Sequence, residues 1–91
     1  MAHSSIKDMI KAGALIVDVR TPGEFADGAY PNAINIPLSS LPAKLDSLGA
    51  KDRPIVMYCL SGARSAQGAR FLQKAGFTNV VNAGALEDML R

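Results

Sequence analysis

The 91-residue sequence contains one cysteine, one histidine and no tryptophan, and aromatic residues make up only 5% of it. A single cysteine excludes an internal disulfide framework. It also argues against a cysteine-based zinc site, since such sites use about four ligands and the only histidine, His3, lies near the terminus and is expected to be solvated. No apolar run approaches the roughly 20 residues that span a bilayer. We therefore predict no metal, no other cofactor and no membrane partner.

The charge pattern also excludes a class of partner. Ten basic residues stand against eight acidic ones, a net charge of +2, and the basic residues are scattered along the chain. Because basic stripes and stacking aromatics are both missing, we expect no nucleic-acid partner. The length predicts one domain over residues 1–91, which we expect to be a monomer. No signal-peptide pattern is visible, so we expect a cytoplasmic protein, or a periplasmic one if a signal peptide has been removed.

Apolar runs alternate with helical patterns along the chain. Strands are predicted at 14–19, 32–37, 55–58 and 79–82. Helices are predicted at 4–12 with Ser4 or Ser5 as cap, 21–28, 40–48, 65–75 with Gly76 just beyond its end, and 85–90. Strands that alternate with helices indicate a parallel sheet covered on both faces. The predicted fold class is therefore α/β, a three-layer α/β/α domain with about four strands.

The single cysteine lies in "MYCLSGARSAQG", residues 57–68, between a strand and a helix. A lone cysteine is most often a packing residue. Here Cys59 ends a strand at the sheet edge where α/β proteins bind ligands. Gly62 allows the following amides to converge on an anion, and Arg64 adds a cation, so the setting favours a thiolate. Asp18 ends another apolar strand and would open onto the same crevice if the two strands are neighbours.

Several polar residues around this region have two interpretations each. Arg20 and Glu24 are four residues apart and are expected to form an ion pair, although Arg20 could instead face the crevice. Asp18 is expected mainly to accept turn amides. Ser61 and Ser65 could donate hydroxyls to a bound anion, and Ser65 is equally well interpreted as a helix cap. Two aromatic residues are interpreted as packing residues, namely Phe25 and Tyr58.

No histidine is available as a general base, so the chemistry must need a thiolate, an anion cradle and little proton transfer. Sulfur transfer through a cysteine persulfide meets these terms. Phosphoryl transfer to cysteine is the competing interpretation, and it usually needs a general acid for the leaving alkoxide. A binding module without catalysis is the third.

Four segments in order resemble the rhodanese family of sulfurtransferases, in its small single-domain form. They are "CLSGARS" at 59–65, "VDVRTPGEF" at 17–25, "GAYPNAINIP" at 28–37 and "GFTNVVNAGALEDM" at 76–89. The resemblance covers nearly the whole chain. It implies a rhodanese-like domain with strand order 2-1-3-4, so that Asp18 and Cys59 lie on adjacent strands.

The resemblance also implies roles for the loop. Cys59 would take a sulfane sulfur from thiosulfate or a similar small anionic donor and pass it to a thiol or to cyanide. A cradle of loop residues would hold the sulfur: Leu60, Ser61, Gly62, Ala63, Arg64 and Ser65. The related phosphatases and arsenate reductases have a loop one residue longer, whereas the spacing here suits a sulfur atom. Ala29 and Tyr30 replace the family's usual His-Ile, which affects the expected shape of the substrate site.

Overall fold

The computed structural model describes the backbone of residues 2–91 and the side chains from residue 6 onward. Within this part of the chain, a four-stranded parallel sheet has the order β2-β1-β3-β4. The strands are β1 (Leu15–Asp18), β2 (Ile34–Asn35), β3 (Ile55–Cys59) and β4 (Val80–Ala85). The central strands β1 and β3 come from continuous apolar runs, as expected for strands buried on both faces. The predicted fold class and strand order are therefore confirmed.

Two layers cover the sheet. One face carries Ile16, Val56 and Tyr58, and packs against α1 (Ala2–Lys11) and α4 (Leu86–Met89). The other face carries Val17, Met57 and Cys59, and packs against α3 (Ala63–Lys74) and a 3₁₀ segment (Leu38–Leu48). Side chains alternate between faces along a strand, so neighbouring residues of β3 belong to different cores. This alternation decides which groups can meet at the functional site.

The helix α3 begins earlier than predicted. Gly62 is its N-cap and Ala63 its first residue, so the prediction that Ser65 caps the helix is wrong. At the other end, Gly76 has a φ of 103° and the Phe77 N–H bonds the Leu72 carbonyl at 3.0 Å, as predicted for a glycine just past the helix. This bond satisfies a carbonyl at the end of the helix that would otherwise lack a partner.

The segment predicted as a helix from Ser40 to Leu48 is a 3₁₀ helix that begins at Leu38. Pro42 lies inside it, and a proline within an α-helix removes one backbone hydrogen bond and clashes with the preceding turn. Leu41 and Leu48 are nevertheless buried, and Leu45 packs against the same core. The apolar stripe was thus predicted correctly and the type of helix was not.

The remaining boundaries shift by a few residues. The helix α2 (Pro22–Ala26) is shorter than predicted, and Thr21 caps it in a reciprocal capping box with Glu24. The strand β2 keeps only two of the six predicted residues, and β4 extends three residues beyond its predicted end. The predictions for the side chains of His3, Ser4 and Ser5 lie outside the described residues. Across residues 2–91, no helix is both long and apolar enough to cross a membrane.

Candidate active site

Cys59 is the last residue of β3, and its side chain has no solvent-exposed surface. It is a free thiol and packs beside Val17 and Met57 on the α3 face of the sheet. The chain turns directly after it into the loop that starts α3. The thiol therefore lies under its own loop, at the carboxyl edge where open α/β sheets bind ligands.

The loop directs hydrogen-bond donors at the sulfur. The Gly62 N–H donates to Cys59 Sγ at 2.9 Å, and Ser65 Oγ lies 3.5 Å from the same atom. Gly62 has a φ of 101°, which a residue with a side chain rarely adopts. A Cβ atom at Gly62 would also lie 3.3 Å from the Gly84 Cα. The amide-lined loop thus depends on glycine at this position for two reasons.

These donors change the acidity of the thiol. Burial is the largest single effect and raises the pKa of Cys59, because a charged sulfur is poorly solvated there. The hydrogen bonds from the Ser65 hydroxyl and from the amides of Ser65, Gly62 and Ser61 stabilise the thiolate and lower the pKa. Together they outweigh burial, so the pKa of Cys59 falls below its ordinary value of 9.0. A lowered pKa is what distinguishes a reactive cysteine from a buried packing one.

Asn82, which was not among the residues predicted from the sequence, lies on β4 and forms hydrogen bonds that hold the loop in place. Its Oδ1 accepts the Ser65 hydroxyl at 2.6 Å and the Gly84 N–H at 2.9 Å, and its Nδ2 donates to the Gly62 carbonyl at 3.3 Å. The Ser65 hydroxyl has one hydrogen, so Asn82, the Gly62 carbonyl at 3.1 Å and an ionised Cys59 compete for it. The available signal was an asparagine at the end of the predicted strand, two residues before Gly84.

Arg64 is paired within the protein. Its Nη1 and Nη2 donate to Glu24 Oε1 and Oε2 at 2.8 and 3.0 Å, in a bidentate pair that links α3 to α2. The bond to Arg64 is the largest cause that holds the pKa of Glu24 at about 2. The same bond raises the pKa of Arg64 above its ordinary value. The expected ion pair between Arg20 and Glu24 is therefore wrong, because Glu24 lies against Arg64.

Arg20 forms its own pair with Asp18, at 2.7 Å between Nη2 and Oδ2. Asp18 also accepts the Arg20 backbone N–H at 2.8 Å and the Tyr58 hydroxyl at 2.7 Å. Tyr58, predicted only to pack, thus completes a buried polar cluster of three side chains. Burial is the main cause that raises the pKa of Tyr58 to about 12.

This cluster lies on the sheet face opposite Cys59. Asp18 is paired in register with Tyr58 and contacts its side chain, whereas Cys59 is the next residue and points the other way. The strands are neighbours, as the resemblance implied. However, the expectation that Asp18 and Cys59 open onto one crevice is wrong, because alternation places them on opposite faces.

The outer residues of the loop are available to a ligand. Leu60, Ser61 and Ala63 are all exposed, and 61% of Leu60 is accessible although it is a large apolar residue. A cavity of about 310 Å³ lies at the same edge of the sheet. Its lining comes from the segment after β1, the start of the 3₁₀ segment and the first turn of α3: Val19, Thr21, Pro37, Leu38, Ser39 and Arg64. Among the residues described, no cluster of His, Cys, Asp and Glu could hold a metal ion.

Comparisons with known proteins show the family to which the chain belongs. The sequence profile of the Rhodanese-like domain family matches residues 2–86. The chain is 43% identical over 68 residues to a sulfurtransferase of Allochromatium vinosum, covering 75% of this chain and 63% of that protein. It is 34% identical over 74 residues to thiosulfate sulfurtransferase PspE of Escherichia coli strain K12, covering 80% and 71%. The chain thus spans less than two thirds of the Allochromatium protein.

A solved structure gives the same result. The human single-domain sulfurtransferase TSTD1 superimposes with a TM-score of 0.81 at 29% identity, over 96% of this chain and 90% of that one. The chain belongs to the rhodanese-like domain family, and its relatives in that family include sulfurtransferases.

Proposed function

We propose that this chain moves a sulfane sulfur from a donor to a thiol acceptor by way of a persulfide on Cys59. The observation that carries the proposal is the Gly62 amide 2.9 Å from Sγ, within a loop that lowers the pKa of the thiol. A structural thiol buried in an apolar core would have its pKa raised. The names of the two curated relatives described above support the same reaction class.

In the first half-reaction, the Cys59 thiolate attacks the outer sulfur of the donor. With thiosulfate, a bond forms between Sγ and that sulfur, the sulfur–sulfur bond of the donor breaks, and sulfite leaves with its electron pair. In the second, a thiolate acceptor attacks the outer sulfur of the persulfide and Cys59 leaves as thiolate. Neither step requires a general base if the thiols are already ionised, which fits a loop rich in amide donors.

Intact mass spectrometry tests this proposal. After incubation with thiosulfate or an organic persulfide, the wild-type chain should gain one sulfur atom of about 32 Da, as covalent catalysis requires. Treatment with a thiol should remove that mass, and the Cys59→Ser variant should never acquire it. An unmodified wild-type chain after exposure to both donors would overturn the proposal.

A parallel assay addresses the competing phosphatase reaction. The loop has four residues between Cys59 and Arg64, and Arg64 is held by Glu24. We therefore expect no hydrolysis of an aryl phosphate under conditions in which sulfur transfer proceeds. Aryl phosphate turnover without sulfur transfer would favour the phosphatase interpretation.

A further inference from the structure

The two arginines nearest the loop each carry an internal counter-charge. Arg20 is only 5% exposed and is paired with buried Asp18. Arg64 is on the loop itself, with 36% of its side chain exposed, but both of its terminal nitrogens contact the carboxylate of Glu24. Neither guanidinium therefore presents its full charge to a ligand at the loop.

The carboxylate of Asp88, beyond the end of β4, is also held by contacts within the protein. The Ala85 N–H donates to Asp88 Oδ2 at 3.3 Å, and Ala85 is the β4 residue in register with Cys59. A Cβ atom at Gly84, which contacts Gly62, would lie 3.3 Å from that same carboxylate oxygen. The other oxygen of this carboxylate lies 4.0 Å from Arg91 Nη1, on the sheet face opposite Cys59, so the attraction for an incoming anion at the loop comes from backbone amides.

We propose that Glu24 sets donor specificity by neutralising Arg64, so that the site favours a persulfide carried on an organic thiol over the dianion thiosulfate. The inference rests on the proposed sulfur transfer through Cys59. Its basis is the bidentate pair between Glu24 and Arg64, which neutralises the one arginine on the loop.

The two donors differ in the charge that the loop must accommodate. Thiosulfate brings two negative charges to a thiolate and releases sulfite, also a dianion. An organic persulfide R–S–SH gives its outer sulfur to the Cys59 thiolate, the bond between its two sulfurs breaks, and R–S⁻ leaves with the electron pair. A site whose cations are already paired penalises the first donor more than the second, since like-charge repulsion acts on every charge brought in.

The Glu24→Gln substitution isolates this charge. Glutamine can fill the same position of the capping box with Thr21, because its side-chain oxygen accepts the backbone N–H that Glu24 now accepts at 2.9 Å. It can also keep one hydrogen bond to Arg64. The matched control is Asp52→Asn, which makes the same charge change on an exposed residue before β3, at the opposite edge of the sheet.

We expect Glu24→Gln to raise kcat/KM for thiosulfate roughly three- to tenfold and to leave kcat/KM for the persulfide of an uncharged thiol, 2-mercaptoethanol, nearly unchanged. The gain should shrink as salt concentration rises, because exposed charges are screened. Asp52→Asn should change neither value. An additional Arg64→Gln substitution in the Glu24→Gln chain should remove the gain, since the released charge is then absent.

Several results would overturn the inference. Thiosulfate use that is unchanged or lower in Glu24→Gln, with persulfide use retained, contradicts it. So does a gain that survives loss of Arg64, because Glu24 would then act without that residue. The wild-type chain separates this from failure of the proposed function: if neither donor leaves sulfur on wild-type Cys59, the sulfur-transfer proposal itself has failed.

Discussion

The carboxyl edge of the sheet holds two buried polar groups, the Asp18–Arg20–Tyr58 cluster on one face and the Cys59 loop on the other. The first consists of side chains, and each partner is within 2.7–3.0 Å of its acceptor on Asp18. The second surrounds a sulfur atom with backbone amides and one hydroxyl. The side chains of Asp18, Tyr58 and Cys59 are all inaccessible to solvent, so burial alone does not tell which group is the reactive one.

The two groups differ in whether the ionisable side chain is already bonded to an opposite charge. Arg20 completes the Asp18 cluster, donating to its carboxylate and to the Gly28 carbonyl at 2.7 Å. Cys59 has donors around it but no opposing charge bonded to the sulfur in the part of the chain described. An ion pair with all its hydrogen bonds made stabilises the fold. A thiol surrounded by hydrogen-bond donors is instead stabilised when it ionises to the thiolate. We interpret the first as structural and the second as reactive.

The largest expected effect tests the reactive group. Cys59→Ser should lower sulfur-transfer turnover by roughly a thousandfold or more, because the nucleophile is lost. The free energy of unfolding should change by no more than about 1 kcal/mol, since the hydroxyl still accepts from the same amides. Thiosulfate-to-cyanide turnover and urea unfolding measure the two quantities. Substantial residual turnover would show that another group carries the sulfur.

The Asp18→Asn substitution tests the structural group. It removes one charge of the buried pair with little change in side-chain shape. It should destabilise the chain by about 3 kcal/mol, because Arg20 is left buried without its counter-ion. Urea unfolding measures this loss, and sulfur loading per folded molecule should persist. If Asp18→Asn left stability unchanged and abolished sulfur loading, the Asp18 cluster would be part of the reactive site and not a structural group.

A third substitution alters the geometry of the loop. Gly62→Ala should cost about 1–3 kcal/mol through its left-handed backbone. It should also lower turnover at least about tenfold, since the Gly62 amide is displaced from the sulfur. Gly13→Ala is the matched control: its φ of 97° is similar to that of Gly62, yet nothing lies within 4 Å of an added Cβ. Equal turnover in the two folded variants would mean that the Gly62 amide does not support the reaction.

Tyr58→Phe is expected to have a smaller effect, again on the structural face. It removes the donor to Asp18 and the acceptor of the Tyr30 N–H at 3.0 Å, which should cost about 1–2 kcal/mol. The pKa of Tyr58 is raised to about 12 from 10.0, so its contribution is complete below pH 10 and is lost as the pH rises toward 12. Urea unfolding across that pH window should show a decline in the wild type that is smaller in Tyr58→Phe. Equal declines in the two chains would contradict the assignment.

The sequence predicted those features that depend on short stretches of chain. Apolar runs located β1 and β3, the Thr21–Pro22 pair located the start of α2, and Gly62 marked the turn after Cys59. The order of the strands came from the family resemblance. The 3₁₀ form of Leu38–Leu48 had a visible signal in Pro42, which the regular spacing of the leucines outweighed.

The wrong predictions of side-chain partners concern contacts between residues that are distant in the sequence. Glu24 meets Arg64 across 40 positions, and Asp18 meets Tyr58 across 40 as well. Strand register decides that Asp18 faces Tyr58 and turns away from Cys59, and a change of one residue would reverse the face. Asn82 was overlooked for the same reason, because its role depends on a hydrogen bond with Ser65, which is distant in the sequence.

The acidity of the Cys59 thiol decides whether this residue is a reactive cysteine or a packing one. The rate of alkylation by iodoacetamide, followed against pH on the folded chain, reports the fraction of thiolate because the thiolate is the form that reacts. We expect the inflection of the folded chain to lie below that of the same chain unfolded in urea, and to shift upward in Ser65→Ala, which loses a donor to the sulfur. An inflection of the folded wild type at or above that of the unfolded chain would show that burial dominates the loop amides and that Cys59 is a packing residue.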